Sequence, residues 1–179
     1  MTVWPLSFCY NAAMTAFLPP QEFYKTLPKK PISAGAIIFN KKGELLLVKA
    51  HYKERWSLPG GVVDADESPH DACRREVAEE TNLKLKKLSL VCVHYVPRDE
   101  KFGERIQCTF YGGEVTLEEE SHVQCGEDEI DELRFVTPEE ATMLSGGAET
   151  LASKRLQACL NVLKNRCGAV YIEAGSERE

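Results

Sequence analysis

From Ile32 onward the apolar positions fall into short runs with clear punctuation. Ile32–Asn40 and Glu44–Lys49 are two such runs, separated by the turn signal Asn40-Lys41-Lys42-Gly43, and they predict consecutive strands. Trp56-Ser57-Leu58-Pro59-Gly60-Gly61 then interrupts the pattern. A helix is predicted next, because Ser68 suits the N-cap, Pro69 the first helical position and Asp71 the first turn. Asn82 marks its end, being one of the few non-glycine residues that enters the left-handed region cheaply. Leu88–Val96 and Arg105–Tyr111 read as strands and Leu133–Val136 as a shorter one. Thr137-Pro138-Glu139-Glu140 repeats the capping pattern and opens a short helix ending near Leu144. The last helix is predicted over Glu149–Asn165, where Leu156, Leu160 and Leu163 form one apolar stripe that belongs to the core. Strands before and after a helix, with further helices at the end, predict an α/β fold: a mixed sheet covered on both faces.

Length and composition bound this picture. A chain of 179 residues suits one domain. The reading assigns 1–30 to an N-terminal extension, partly ordered at most, 31–168 to the domain and 169–179 to a C-terminal tail. Nothing before Glu22 is charged, yet this stretch has no basic region and is broken by Pro5, Pro19 and Pro20, so neither a signal peptide nor a membrane span is expected. Met14 is an alternative start to Met1. Seven scattered cysteines, odd in number and without a C-x-x-C pair, fit reduced thiols in the cytoplasm. His122 and Cys125 have the spacing of half a zinc site, but no second pair matches them. The net charge of −6 argues against a nucleic-acid-binding surface.

The chemistry concentrates in Gly60–Leu83, GGVVDADESPHDACRREVAEETNL. Glu76, Glu79 and Glu80 stand at i, i+3 and i+4, within an arc of roughly 100° on one helix face. Three like charges this close repel, and a divalent cation resolves the conflict. Oxygen ligands without histidine or thiolate partners select Mg²⁺ or Mn²⁺. A solvated acidic face is the plain alternative for such a triplet. The double glycine Gly60-Gly61 shifts that balance, since it allows close backbone approach to a ligand and offers a carbonyl. Arg75 is placed to orient a carboxylate, or else to make an ordinary surface ion pair.

Gly61, Glu67, Arg75, Glu76, Val77, Glu79, Glu80 and Leu83 together resemble the signature of the Nudix hydrolases, with Asn82 standing where the family has glycine. A looser resemblance extends from Pro31 to Asn165 through Trp56-Ser57-Leu58-Pro59, Phe135-Val136-Thr137-Pro138-Glu139-Glu140 and the last helix. The resemblance implies a Nudix-type α/β/α sandwich. It also implies Mg²⁺- or Mn²⁺-dependent hydrolysis of the diphosphate linkage in a nucleoside diphosphate bonded to another moiety. By the same resemblance Glu79 and Glu80 are the primary metal ligands, Glu76 binds metal and is a candidate base, and the Gly60 carbonyl is a candidate ligand. A general base can also come from a later loop, where Glu127 and Glu129 are favoured among Glu118, Glu119, Glu120, Asp128 and their neighbours.

Substrate signals are weaker. Pro97 is placed as in ADP-ribose-cleaving members, while a proline closing a strand is also an ordinary turn feature. Trp56, Tyr95 and Phe102 are candidates for stacking on a base, against plain packing at strand edges. A dNTP-cleansing hydrolase and a non-catalytic nucleotide sensor are the alternatives, and the sensor reading sits poorly with a full set of signature glutamates. The expected partner is a small nucleoside diphosphate derivative, with no nucleic acid and no membrane; a homodimer is compatible with the sequence. Finally, the acidity is localised: Gly61–Glu80 carries −5, Glu118–Glu132 carries −8, and the remainder is +7. One segment is expected to hold the metal and the other to lend it a carboxylate.

Overall fold

The computed structural model describes residues 18–126 and 129–177. In chain order these form helix α1 (Pro20–Thr26), strands β1 (Ile32–Phe39), β2 (Leu45–Ala50) and β3 (Gly60–Val62), and helix α2 (Pro69–Thr81). Then follow β4 (Ser89–Val96), β5 (Arg105–Glu114), α3 (Leu117–Ser121), β6 (Ile130–Val136), α4 (Pro138–Leu144), α5 (Leu151–Asn165), β7 (Val170–Glu173) and β8 (Ser176–Glu177). The sheet runs β6-β2-β1-β5-β4-β7-β8, with β3 paired to β1. It is mixed: β1 lies parallel to β5 and β4 parallel to β7, while the other pairs are antiparallel.

Strand alternation sends side chains to two separate cores. Ala34, Ala36 and Ile38 of β1 pack with Ala72, Cys73 and Val77 of α2. Ile37, between them in sequence, faces the opposite side with Leu156, Cys159 and Val162 of α5. This is the α/β sandwich expected from the sequence, with the mixed sheet between helical layers.

The signals read for α2 act as anticipated. The Ser68 hydroxyl accepts from Asp71 N–H at 3.1 Å, and Asn82 closes the helix in the left-handed region at φ 62°. Leu156 of the α5 stripe is buried, and Leu160 and Leu163 pack against the same core.

Five elements, α1 among them, go beyond the sequence reading. β3 is only three residues and glycine-rich, so it carries no alternation to detect. α3 occupies the acidic stretch that reads as loop. It forms because Thr116 and Glu119 make a reciprocal capping box, which stabilises a helix start where apolar periodicity is lacking. β7 and β8 lie inside 169–179, where the sequence predicts a tail. The sheet thus continues past 168: Ile172 is fully buried, and β7 pairs with β4 from Cys92↔Val170 to Tyr95↔Glu173. A four-residue strand between Gly168 and Gly175 is too short to declare a period. At the other end, α1 buries no residue, and the reading of 1–17 falls outside the described residues.

Candidate active site

The glycine pair and α2 meet because β3 lies against the start of β1. Gly60 has φ 141°, and a Cβ there would stand 2.2 Å from the Ala34 carbonyl oxygen. A Cβ on Gly61 would stand 2.4 Å from the Glu76 carboxylate. Only glycines let this strand pass between β1 and the acidic face of α2.

Arg75 organises that face. Its guanidinium grips Glu67 through two bonds, Nε to Oε1 at 3.0 Å and Nη2 to Oε2 at 2.9 Å. Nη1 donates to Glu76 at 2.9 Å and Glu79 at 3.1 Å, and Nη2 also donates to the Val62 carbonyl at 3.2 Å. All five guanidinium hydrogens therefore have acceptors. Glu67 accepts in addition from the Asp64 N–H at 3.1 Å, and the Arg75 bonds hold its pKa below the ordinary carboxylate value. Glu67 thus sits behind the acidic face and fixes Arg75.

Glu80 is 7% exposed, and its Oε2 accepts from the Gly60 N–H at 2.7 Å. Burial pushes its pKa up to about 7, against the opposing effects of the Gly60 N–H and Lys53, and with Glu76 and Glu129 adding to the rise. Burial likewise raises the pKa of Glu76, more than Arg75 lowers it. Glu79 is the most exposed of the three.

The later acidic loop is tied to the end of α2 by backbone bonds, Gln124 N–H to the Thr81 carbonyl at 3.3 Å and Gly126 N–H to the Glu80 carbonyl at 3.1 Å. Gly126 permits this approach, since a Cβ would stand 2.1 Å from the Glu79 carbonyl oxygen. Glu129, three residues further on, is anchored by its carbonyl to the His51 N–H at 3.0 Å. Glu127 and Asp128 lie outside the described residues. Glu119 caps α3 and approaches Lys86, and Glu120 accepts from Asn40, so these two are engaged elsewhere.

These parts line one cleft of about 920 Å³, which takes in Gly60, Gly61, Arg75, Glu76, Glu79, Glu80 and Glu129. Tyr52, Lys53, Gln107 and Arg155 line it too, and sequence reasoning missed all four. Only their place in the fold reveals them, because none belongs to a spaced motif. Of the candidate stacking residues, Trp56 is buried in the α5-side core with Arg134 over its ring at 4.8 Å. The Tyr95 hydroxyl donates to Glu104 at 2.6 Å, and Arg105 lies over Phe102. None of the three lines the cleft, so none is placed to stack on a ligand there.

Among the described residues, no three carboxylate, imidazole or thiol groups converge closely enough, as placed, to hold a metal ion. The helix carboxylates are turned instead to Arg75 and Gly60. The donor set nevertheless fits a hard divalent cation. Three carboxylates of one helix face open on the cleft with only oxygen chemistry, and two of them are charged at a cost that a cation would offset.

The NUDIX domain family matches residues 29–156, and the chain belongs to that family. A MutT protein from Methanosarcina mazei has the same fold, with a TM-score of 0.61 and 25% identity, over 79% of this chain and 99% of that one. An ADP-ribose pyrophosphatase from Bacillus subtilis is 28% identical over 138 residues, covering 75% of this chain and 73% of its own. An RNA pyrophosphohydrolase from Bartonella tribocorum is 40% identical over 73 residues, covering 36% of this chain. That match takes in 42% of the relative's length, and for a MutT-like protein of Streptomyces ambofaciens the figure is 38%.

Proposed function

We propose that this chain is a divalent-cation-dependent pyrophosphohydrolase that cleaves the diphosphate linkage of a small nucleoside diphosphate derivative, with ADP-ribose or a nucleoside diphosphate sugar as substrate. The observation that carries this reading is the ordered carboxylate face. Arg75 and Gly60 hold Glu76, Glu79 and Glu80 along the wall of a cleft large enough for a nucleotide. A relative that covers three quarters of this chain is named an ADP-ribose pyrophosphatase, which favours that substrate class.

Glu76, Glu79 and Glu80 would hold Mg²⁺ or Mn²⁺, with the Gly60 carbonyl as a further donor. When bound, the cation supplies neutralisation of phosphate charge and acidifies water. The chain's own residues do the rest. Arg75 fixes the direction of Glu76 and Glu79, and the Gly60 N–H fixes Glu80. Glu129, exposed at the cleft edge, or Glu76 would take the proton from the attacking water. Lys53, near Glu80, is placed to meet phosphate oxygens.

The acidic cleft wall disfavours a long polyanion, so a small nucleotide is the better fit than nucleic acid. The six described cysteines are free thiols, which supports a reducing compartment such as the cytoplasm. No described helix is long and apolar enough to cross a membrane. The test is product analysis: with Mg²⁺ and ADP-ribose the protein should release AMP, and a chelator should stop it. Binding of ADP-ribose without products would replace this reading with that of a sensor.

A further inference from the structure

On the sheet face opposite α2, Ser33, Gln107 and His94 stand side by side in register across β1, β5 and β4. Arg155 reaches this polar row from α5, its Nη1 donating to Gln107 Oε1. The contrast with Arg75 is sharp. Arg155 has no carboxylate within ion-pair distance among the described residues, and its buried Nε has no hydrogen-bond partner. Both nitrogens of fully buried His94 also lack a partner, and burial lowers its pKa to about 4, so the ring is neutral and acts as no counter-charge. An unpaired arginine in such a setting is costly unless an anion completes it. Its fork is already held on one side by Gln107, and it opens on the same cleft as the carboxylate face.

We propose that Arg155 is a substrate-binding residue that receives a phosphate group, on the wall of the cleft opposite the α2 carboxylates. This rests on reading the cleft as the diphosphate-cleaving site. A guanidinium suits phosphate oxygens, and Nη2 is the group left for that contact, since Nη1 is held by Gln107 and the unpartnered Nε lies buried behind it. The bound phosphate is either part of the cleaved diphosphate or a further phosphate on the substrate.

Binding of inorganic pyrophosphate in the presence of EDTA, measured by calorimetry, isolates this contact from any metal. The wild type and Glu80→Gln should bind, Arg155→Gln should bind at least about tenfold more weakly, and Arg155→Lys should fall between them. Removal of an unpaired charge should leave Arg155→Met at least as stable as the wild type without ligand, and pyrophosphate should raise only the wild-type Tm. Equal pyrophosphate affinity in wild type and Arg155→Gln, or no binding by the wild type, overturns the proposal. So does a marked loss of ligand-free stability in both Arg155→Met and Arg155→Lys, which would make the residue structural. The KM of Arg155→Gln for ADP-ribose and for a nucleoside triphosphate distinguishes the two phosphate sources: a rise for both assigns the cleaved diphosphate, a rise for the triphosphate alone a further phosphate. Loss of turnover in Glu80→Gln is read separately, so failure of the hydrolase reading is not mistaken for failure of this one.

Discussion

The cleft has two walls, and each holds an arginine in opposite circumstances. Arg75 has every donor satisfied and three glutamates within bonding distance, all from Gly61–Glu80. Arg155 has one side-chain hydrogen-bond partner, from a strand nearly fifty residues away, and no carboxylate at ion-pair distance among the described residues; the acidic groups that face it are the thiols of Cys159 and Cys92. The first arrangement stabilises the protein while it orders the carboxylates. The second costs stability and is complete only with a ligand. Stability and function therefore coincide at Arg75 and oppose each other at Arg155.

Perturbing each wall should expose that difference. Among variants that keep every α2 carboxylate, Gly61→Ala should have the largest effect, because its Cβ must displace the Glu76 carboxylate. Turnover should fall by about a hundredfold, as for loss of a group that orients a metal ligand, with little change in melting temperature. A variant that keeps wild-type turnover would show that Glu76 need not stay where it is.

Behind the α5 wall, fully buried His94 is held neutral by burial, with a pKa near 4 against an ordinary 6.5. Between those values the unfolded chain binds the proton and the folded one does not, so the His94 contribution is complete above pH 6.5 and lost as pH falls toward 4. The wild type should lose roughly 3 kcal/mol more than His94→Gln over that range in urea unfolding. Raised carboxylates such as Glu80 act in the opposite direction, but they are common to both proteins and cancel. Parallel pH profiles would mean that His94 is protonated where it lies.

Arg75→Gln should cost about 1–3 kcal/mol of stability by leaving Glu67 without its partner, in addition to reduced turnover. An unchanged melting temperature would remove the distinction between the walls. Asn82→Gly should have the smallest effect, a gain below about 1 kcal/mol, since glycine accepts φ 62° without strain but gives up the long bond from Asn82 Nδ2 to the His122 carbonyl at 3.3 Å.

The same contrast explains what could be read from the chain. Ser68, Pro69 and Asn82 act on their own neighbours, so the bounds of α2 were legible, and so was the shared face of Glu76, Glu79 and Glu80. The part of Gly60-Gly61 in that site was suggested by the glycines' own chemistry and specified by resemblance to a known signature. Lys53, Gln107 and Arg155 enter the cleft through the tertiary fold, which places β5 between β1 and β4 and packs α5 on β4 and β7, and no local pattern encodes that order. β7 is similar: Ile172 earns its place by burial against β4 and α5, contacts that four residues cannot announce. The acidic stretch at 118–132 divides for a like reason. Glu119 is consumed by a local cap, whereas Glu129 reaches the cleft because Gly126 lets the loop close on α2.

The central claim is that the α2 carboxylates at this cleft, with a divalent cation, carry out diphosphate hydrolysis. Its most direct test is the Glu80→Gln variant, assayed for AMP release from ADP-ribose with Mg²⁺ alongside its circular dichroism and melting temperature. Glutamine keeps the shape and can still accept from the Gly60 N–H, so the fold should persist. The account predicts a folded protein whose turnover is reduced by about a hundredfold or more, the scale of a lost metal contribution. A folded Glu80→Gln protein that releases AMP at close to the wild-type rate would contradict it.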